Sequence, residues 1–139
     1  MDDAVDTYRK ASEANDIEAM MAVIAPDAEL VSPIAARGVF RGTADLRVLL
    51  GAVYGTVRDL CWVEEIGEGR SRVVIGECRI GPLRMSDAMA FDLGDDGRIR
   101  RIRPHLRPWL ATSLFALLLI PQVGRHPGLV LRTLRNGRG

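Results

Sequence analysis

The most restrictive stretch of this 139-residue chain is Leu83–Leu93, LRMSDAMAFDL. Side chains of an extended strand alternate between two faces. One face then carries Met85, Asp87, Met89, Phe91 and Leu93, and the other Ser86, Ala88, Ala90 and Asp92. An acid therefore falls in the middle of an apolar row. A charge placed there must be paired, or be lost by proton uptake. Two readings stand side by side. One is a hydrogen-bonded structural carboxylate. The other is a carboxyl group in a pocket, its pKa raised, available as an acid or hydrogen-bond donor. Perturbed acids gather at functional sites, but they also occur in structural networks.

The chain around this stretch predicts its partners. Asp2 or Asp3 caps a first helix over residues 2–14, with Val5, Tyr8, Ala11 and Ser12 on its inner stripe. Asp16 caps a second helix from Ile17 to Ala25, stopped by Pro26. Residues 28–34 read as a strand that places Ala28, Leu30, Ser32 and Ile34 on one face. Gly38–Arg41 is a short extended piece. Thr43 caps a third helix that buries Leu46, Leu49, Leu50 and Val53 and ends at Tyr54-Gly55. Strands over 58–66, 71–80, 83–93 and 98–104 follow, joined by glycine-rich turns. Three helices and then an antiparallel meander make an α+β layout, with the helices against one sheet face.

Charge is unevenly placed. Residues 98–139 hold nine arginines and no lysine, aspartate or glutamate. The other ten basic residues face all eighteen acids within residues 1–97, so the body is net negative and the tail net positive. Such asymmetry suggests a partner surface, or a tail docked on its own body or on a second copy. Nucleic acid is the weakest option and is not expected as a partner, because the body would repel phosphates and no recognition motif is present. In the tail, Leu110–Ile120 is polar only at Thr112 and Ser113, too short for the ~20 residues that span a bilayer. It reads as a buried or interfacial helix ended by Pro121. Residues 129–135 read as a second short helix with arginines on one side. Such helices pack on protein or lie on an anionic membrane surface, and so predict a peripheral membrane or protein contact through residues 107–139.

The acidic N-terminus lacks a signal pattern, so a cytoplasmic protein is expected. Cys61 and Cys78 form neither a disulfide framework nor a zinc site. Phosphate-loop, dinucleotide and nucleophile-elbow motifs are missing. His105 and His126 lie beside prolines and read as surface or turn residues. No metal and no cofactor are expected, which leaves any chemistry to Asp, Tyr, Ser and the shape of a cavity.

The motifs now fall in a telling order. Tyr8 precedes Asp16 by eight residues, within Ala14-Asn15-Asp16-Ile17-Glu18. Then come APDAELVSP at 25–33, FRGTADL at 40–46, DAMAF at 87–91 and DGRI at 96–99. Over roughly residues 4–104 the chain resembles the nuclear-transport-factor-like superfamily, in its SnoaL-like and ketosteroid-isomerase-like branch. The resemblance implies a cone-shaped, cystatin-like fold. A curved antiparallel or mixed sheet would wrap around three N-terminal helices and enclose an apolar pocket. Residues 1–106 would form that domain, and 107–139 an extra helical extension packed on it or on a dimer partner. In ketosteroid isomerases a first-helix tyrosine and a protonated aspartic acid on a late strand donate hydrogen bonds to a substrate oxyanion. A second aspartate, just before a proline, moves the proton. Tyr8 and Asp87 match the two donors, whereas the base position falls on Ser32. Pocket walls are expected from Leu30, Leu49, Val53, Trp62, Met85, Met89 and Phe91. The implied function is binding of an apolar small molecule, with isomerase or cyclase action on a polyketide-, steroid- or terpenoid-like carbonyl compound. Asp87 and Tyr8 would serve as acid and oxyanion donors, and Ser32 as a positioning hydroxyl. The alternative is a non-catalytic ligand-binding or dimerisation module that lacks the base. A homodimer is expected in either case.

Overall fold

The structure, a computed structural model, describes residues 3–35 and 37–137. Helix α1 (Ala4–Glu13) starts where the Asp3 carboxylate accepts the Asp6 N–H at 3.0 Å. The other expected cap, Asp2, lies outside the described residues. The helix buries Val5, Tyr8, Ala11 and Ser12 on one stripe. Asp16 caps α2 (Ile17–Ala22) through the Ala19 N–H.

That second helix stops at Ala22, short of the expected Ala25, and Pro26 lies inside strand β1 (Ile24–Val31). Sheet pairing overrides another helical turn here. The Ile99 N–H donates to the Val23 carbonyl at 2.9 Å, and Ile24 pairs with Ile99. Pro26 sits where the β1 register is interrupted between Ile24 and Glu29, so its missing N–H removes no ladder bond. The strand also ends at Val31 rather than Ile34.

β2 (Val39–Arg41) leads into α3 (Thr43–Thr56). Gly42, not Thr43, is the cap: its φ of +91° makes the sharp exit from β2 that a side chain would strain. The helix runs through Tyr54-Gly55 to Thr56, which makes Tyr54 a buried helical residue rather than a terminus.

The meander follows as β3 (Arg58–Ile66), β4 (Ser71–Ile80), β5 (Leu83–Leu93) and β6 (Ile99–Arg103). Past Pro104 a further strand, β7 (Leu106–Arg107), pairs with β5 through Ser86↔Arg107 and Asp87↔Leu106. The sheet order is β2-β1-β6-β5-β4-β3, with β1 and β6 parallel and the other pairs antiparallel. The inner face of β5 is the predicted one, with Met85, Asp87, Met89 and Phe91 buried.

The sheet curves because β3 slips against β4 twice, between Arg58 and Cys61 and between Trp62 and Glu64. Such bulges bend and twist a strand. Gly76 faces Trp62 across this pair. A Cβ on Gly76 would lie 2.6 Å from Trp62 Cε3, so the indole lies over the bare glycine. Trp62 Nε1 donates to Ser12 Oγ at 2.9 Å and ties the bent strand to α1. The result is a curved, unclosed sheet around the N-terminal helices, a cystatin-like α+β cone with extra C-terminal helices.

Those helices are α4 (Trp109–Gly124) and α5 (Pro127–Asn136). Pro121 was expected to end the first of them but lies within it. A proline this near the end of a helix forfeits its own N–H bond, and Val123 beyond it packs against both hydrophobic clusters of the chain. Ala111, Phe115 and Leu119 of α4 form one cluster with Cys78, Ile80 and Met85 at the far end of the sheet. Leu129 of α5 joins the main core between the sheet and α1–α3. Arg132 clamps α5 to the start of α3, donating from Nε to Asp45 Oδ2 at 3.0 Å and from Nη2 to Oδ1 at 2.9 Å. This partner holds the Asp45 carboxyl below the usual carboxylate range, against the opposing effect of burial. Among the described residues no single helix is long and apolar enough to cross a membrane. α4 and α5 reach that length and composition only together, and they are bent by 114°.

Candidate functional site

Between α3, the concave sheet face and α4–α5 lies a cavity of about 360 Å³. That equals roughly a dozen water volumes and is the size of a small-ligand pocket. Its wall is apolar apart from a few groups, among them Tyr8, Tyr54, Asp87, Ser32 and Cys78.

Asp87 reaches the cavity because β5 alternation turns it inward between Met85 and Met89. The residue is 9% exposed. Burial pushes its pKa up to about 7, opposed by the His105 backbone N–H, which donates to Oδ1 at 3.2 Å. That N–H comes from the link between β6 and β7, so the Pro104 break supplies the acid's backbone partner.

Tyr8 comes from the inner stripe of α1 and is fully buried. Its hydroxyl lies 2.7 Å from that of Tyr54 on α3, and either can donate to the other. The Tyr8 ring stands edge-on to Tyr54 and to Phe91, with centroids 6.3 Å and 5.2 Å apart. Burial raises both phenol pKa values, and the nearby Asp87 charge adds to the rise in each. Burial, and secondarily Asp87, pushes the Cys78 thiol up to about 11. The phenols and the thiol are therefore neutral at ordinary pH. In a bonded pair of hydroxyls one proton is used between the partners, and the other is free to be donated to a guest.

Ser32 also borders the cavity. Its Oγ accepts the N–H groups of Ile34 at 3.2 Å and Ala35 at 3.0 Å, organising the turn that follows β1. That hydroxyl is an acceptor already in use, and a neutral one, which makes it a poor proton acceptor. Leu30, Leu49, Val53, Trp62, Met85 and Met89 line the cavity. Phe91, expected there too, does not: it stands on the inner face of β5 but packs behind the Tyr8 ring, under α1.

Two contributions escaped the sequence reading. Gly55 marks Tyr54 as a helix end, although Tyr54 lies four residues after Leu50 on the buried stripe. The tail lies beyond the motifs that carry the resemblance, yet Phe115 and Leu119 of α4 and Leu129, Val130 and Thr133 of α5 roof the cavity. An α4 sequence apolar on every side was the available signal, since it marks a helix with two faces to cover.

No family model and no curated protein sequence matches the chain. Solved structures do. An uncharacterised bacterial protein with a cystatin-like fold from Silicibacter pomeroyi aligns with a TM-score of 0.86 at 16% identity, over 96% of this chain and 93% of that one. A steroid delta-isomerase from Pseudomonas aeruginosa aligns with a TM-score of 0.77 at 21% identity, over 93% of this chain and 92% of the other. A protein from Sinorhizobium meliloti, described as a candidate polyketide cyclase, aligns with a TM-score of 0.63 at 22% identity, over 76% and 95%. At these identities the likeness establishes the fold, which hosts more than one activity. The neighbours are of the ketosteroid-isomerase-like and polyketide-cyclase-like kind that the sequence motifs resembled. At these coverages the first two alignments extend beyond the cone into the C-terminal extension.

Proposed function

We propose that this chain binds an apolar carbonyl compound in the cavity and acts on it as a cofactor-independent isomerase or cyclase. One observation carries this reading: a buried carboxyl with a pKa near 7 borders the same apolar hollow as a hydrogen-bonded tyrosine pair. When a proton leaves the carbon beside a carbonyl, or when a carbon nucleophile attacks that carbonyl, negative charge grows on the oxygen. Protonated Asp87 and the spare phenolic proton of the Tyr8–Tyr54 pair are donors suited to that oxygen. In an enclosed site such donors lower the barrier far more than water does. Fold neighbours named as a steroid delta-isomerase and a candidate polyketide cyclase support this reading.

A second reading is ligand binding without turnover, and Ser32 favours it. The position that would hold a proton-transferring base carries a hydroxyl already bonded to two backbone N–H groups. A cyclisation whose substrate supplies its own acidic C–H needs less from the protein than an isomerisation, so the cyclase form suits the donor set better.

The test uses an aromatic phenol, whose anion mimics the developing oxyanion, followed by fluorescence titration. Wild-type protein should bind it with the phenol proton weakened. Asp87→Asn and Tyr8→Phe should each cost about 10²–10³-fold in turnover of any β-dicarbonyl compound found to react. Phenol binding with no turnover of such compounds selects the non-catalytic reading. Phenol affinity unchanged in both variants removes the site.

A further inference from the structure

We infer that the outer face of α4–α5 docks on an anionic phospholipid surface, with the cavity mouth facing the bilayer. Trp109, Leu110, Leu117, Ile120, Leu131 and Leu134 stand exposed on these two helices, Trp109 at 78% and Leu117 at 70%. Leu110 and Leu117 are two turns apart on one side of α4, while Phe115 and Leu119 on its other side are buried. A helix apolar all round needs cover on both faces, and the fold covers one. The cavity reaches the surface beside this face, where Ile120 and Leu134 of the two helices and Ile34 of the turn after β1 both line it and stand exposed.

Charge selects the occupant. Exposed Arg107 precedes Trp109 by two residues, Arg125 lies at the bend between the helices, and Arg135 follows Leu131 by one helical turn. Residues 104–139 contain five arginines and no acidic residue, while the eighteen acids of residues 1–103 face fourteen bases. The molecule is thus polarised, and an anionic surface draws the tail in while repelling the body. Two short apolar helices bent by 114° lie in the interface rather than cross it, and an exposed tryptophan with flanking arginines suits the headgroup level. A second copy fits less well. Twofold pairing through this face sets the exposed Arg125 and Arg135 of one copy against those of the other. An apolar carbonyl ligand dissolved in the bilayer meets the cavity mouth directly. That last step rests on the proposed ligand class, and the docking does not.

Full-length protein is sedimented with vesicles of phosphatidylglycerol and phosphatidylcholine in equal parts, and with phosphatidylcholine alone. Binding to the mixed vesicles only, weakening as salt rises and with a blue shift from Trp109, is expected. Arg125→Gln and Arg135→Gln should each lower the partition by about fivefold. Leu117→Ser and Leu131→Ser, all at exposed positions, should each lower it roughly tenfold with an unchanged circular dichroism spectrum. Asp87→Asn should bind as wild type does, which separates docking from catalysis. Absence of binding, or equal binding to neutral vesicles, overturns the proposal. So does a solution dimer that Leu117→Ser and Leu131→Ser dissociate, since the face would then belong to a second copy.

Discussion

Asp87 is the residue on which the chemistry and the stability of the molecule meet. Its folded pKa of about 7 lies above the ordinary 3.8. The folded state therefore holds this proton more tightly than the unfolded chain does. Between about pH 4 and pH 7 the unfolded chain ionises first, so stability falls as pH rises through that window and levels off above it. The whole effect is of the order of 4 kcal/mol. Asp87→Asn removes the titration. In urea unfolding, the variant should gain on wild type by about 3 kcal/mol between pH 5 and pH 8. A difference that does not change with pH would mean the carboxyl is ionised inside the fold. The donor role carries the same sign: phenol binding and turnover should decline above about pH 7, as the protonated form is lost. Asp87 was legible in the sequence because period-two alternation is a local property of a strand. Its His105 partner was not, because that contact joins residues eighteen apart through a break in the sheet.

At the scale of elements, the site exists because β3 bends. The bend is secured by Trp62 lying over Gly76 and reaching Ser12. A methyl group at residue 76 would meet the indole ring at 2.6 Å, and the ring cannot move away without losing the Ser12 bond. Gly76→Ala should therefore destabilise the fold by about 1–3 kcal/mol in urea or thermal unfolding. It should also weaken ligand binding, because the same indole lines the cavity. Trp62→Phe, which keeps the ring plane but has no N–H, should lose less. The ranges of β3, β4 and β5 were readable from alternation and turn residues. Where helix met strand, the reading failed. Ala22 ends α2 and Gly42 caps α3 because neighbouring strands compete for the same backbone groups, and that competition has no local signature.

For the whole molecule, the tail decides whether the cone is closed. Ala111, Phe115 and Leu119 cover the sheet end around Cys78, Ile80 and Met85, and Leu129 enters the main core. Burying Phe115, Leu119 and Leu129 contributes about 1.5–3 kcal/mol each, which together is comparable with the net stability of an ordinary domain. A chain cut after Arg107 should lose cooperative thermal unfolding and bind a hydrophobic dye. A sharp melt near the full-length temperature would show that residues 1–107 are self-sufficient. Full-length protein with Arg132→Ala should keep the fold but melt at a lower temperature, as the Asp45 carboxylate is left without its guanidinium.

The sequence by itself determined the α+β class, the strands of the meander, the inward direction of Asp87 and the inner stripe bearing Tyr8. Each of these follows from periodicity over a few residues, and the backbone enforces periodicity locally. Tertiary structure alone decided that Tyr54 would meet the Tyr8 hydroxyl and that Phe91 would stand behind it. It also decided that Ser32 would serve a turn and that the C-terminal helices would roof the cavity. Those outcomes depend on which apolar faces meet, and burial is settled between segments far apart in the chain.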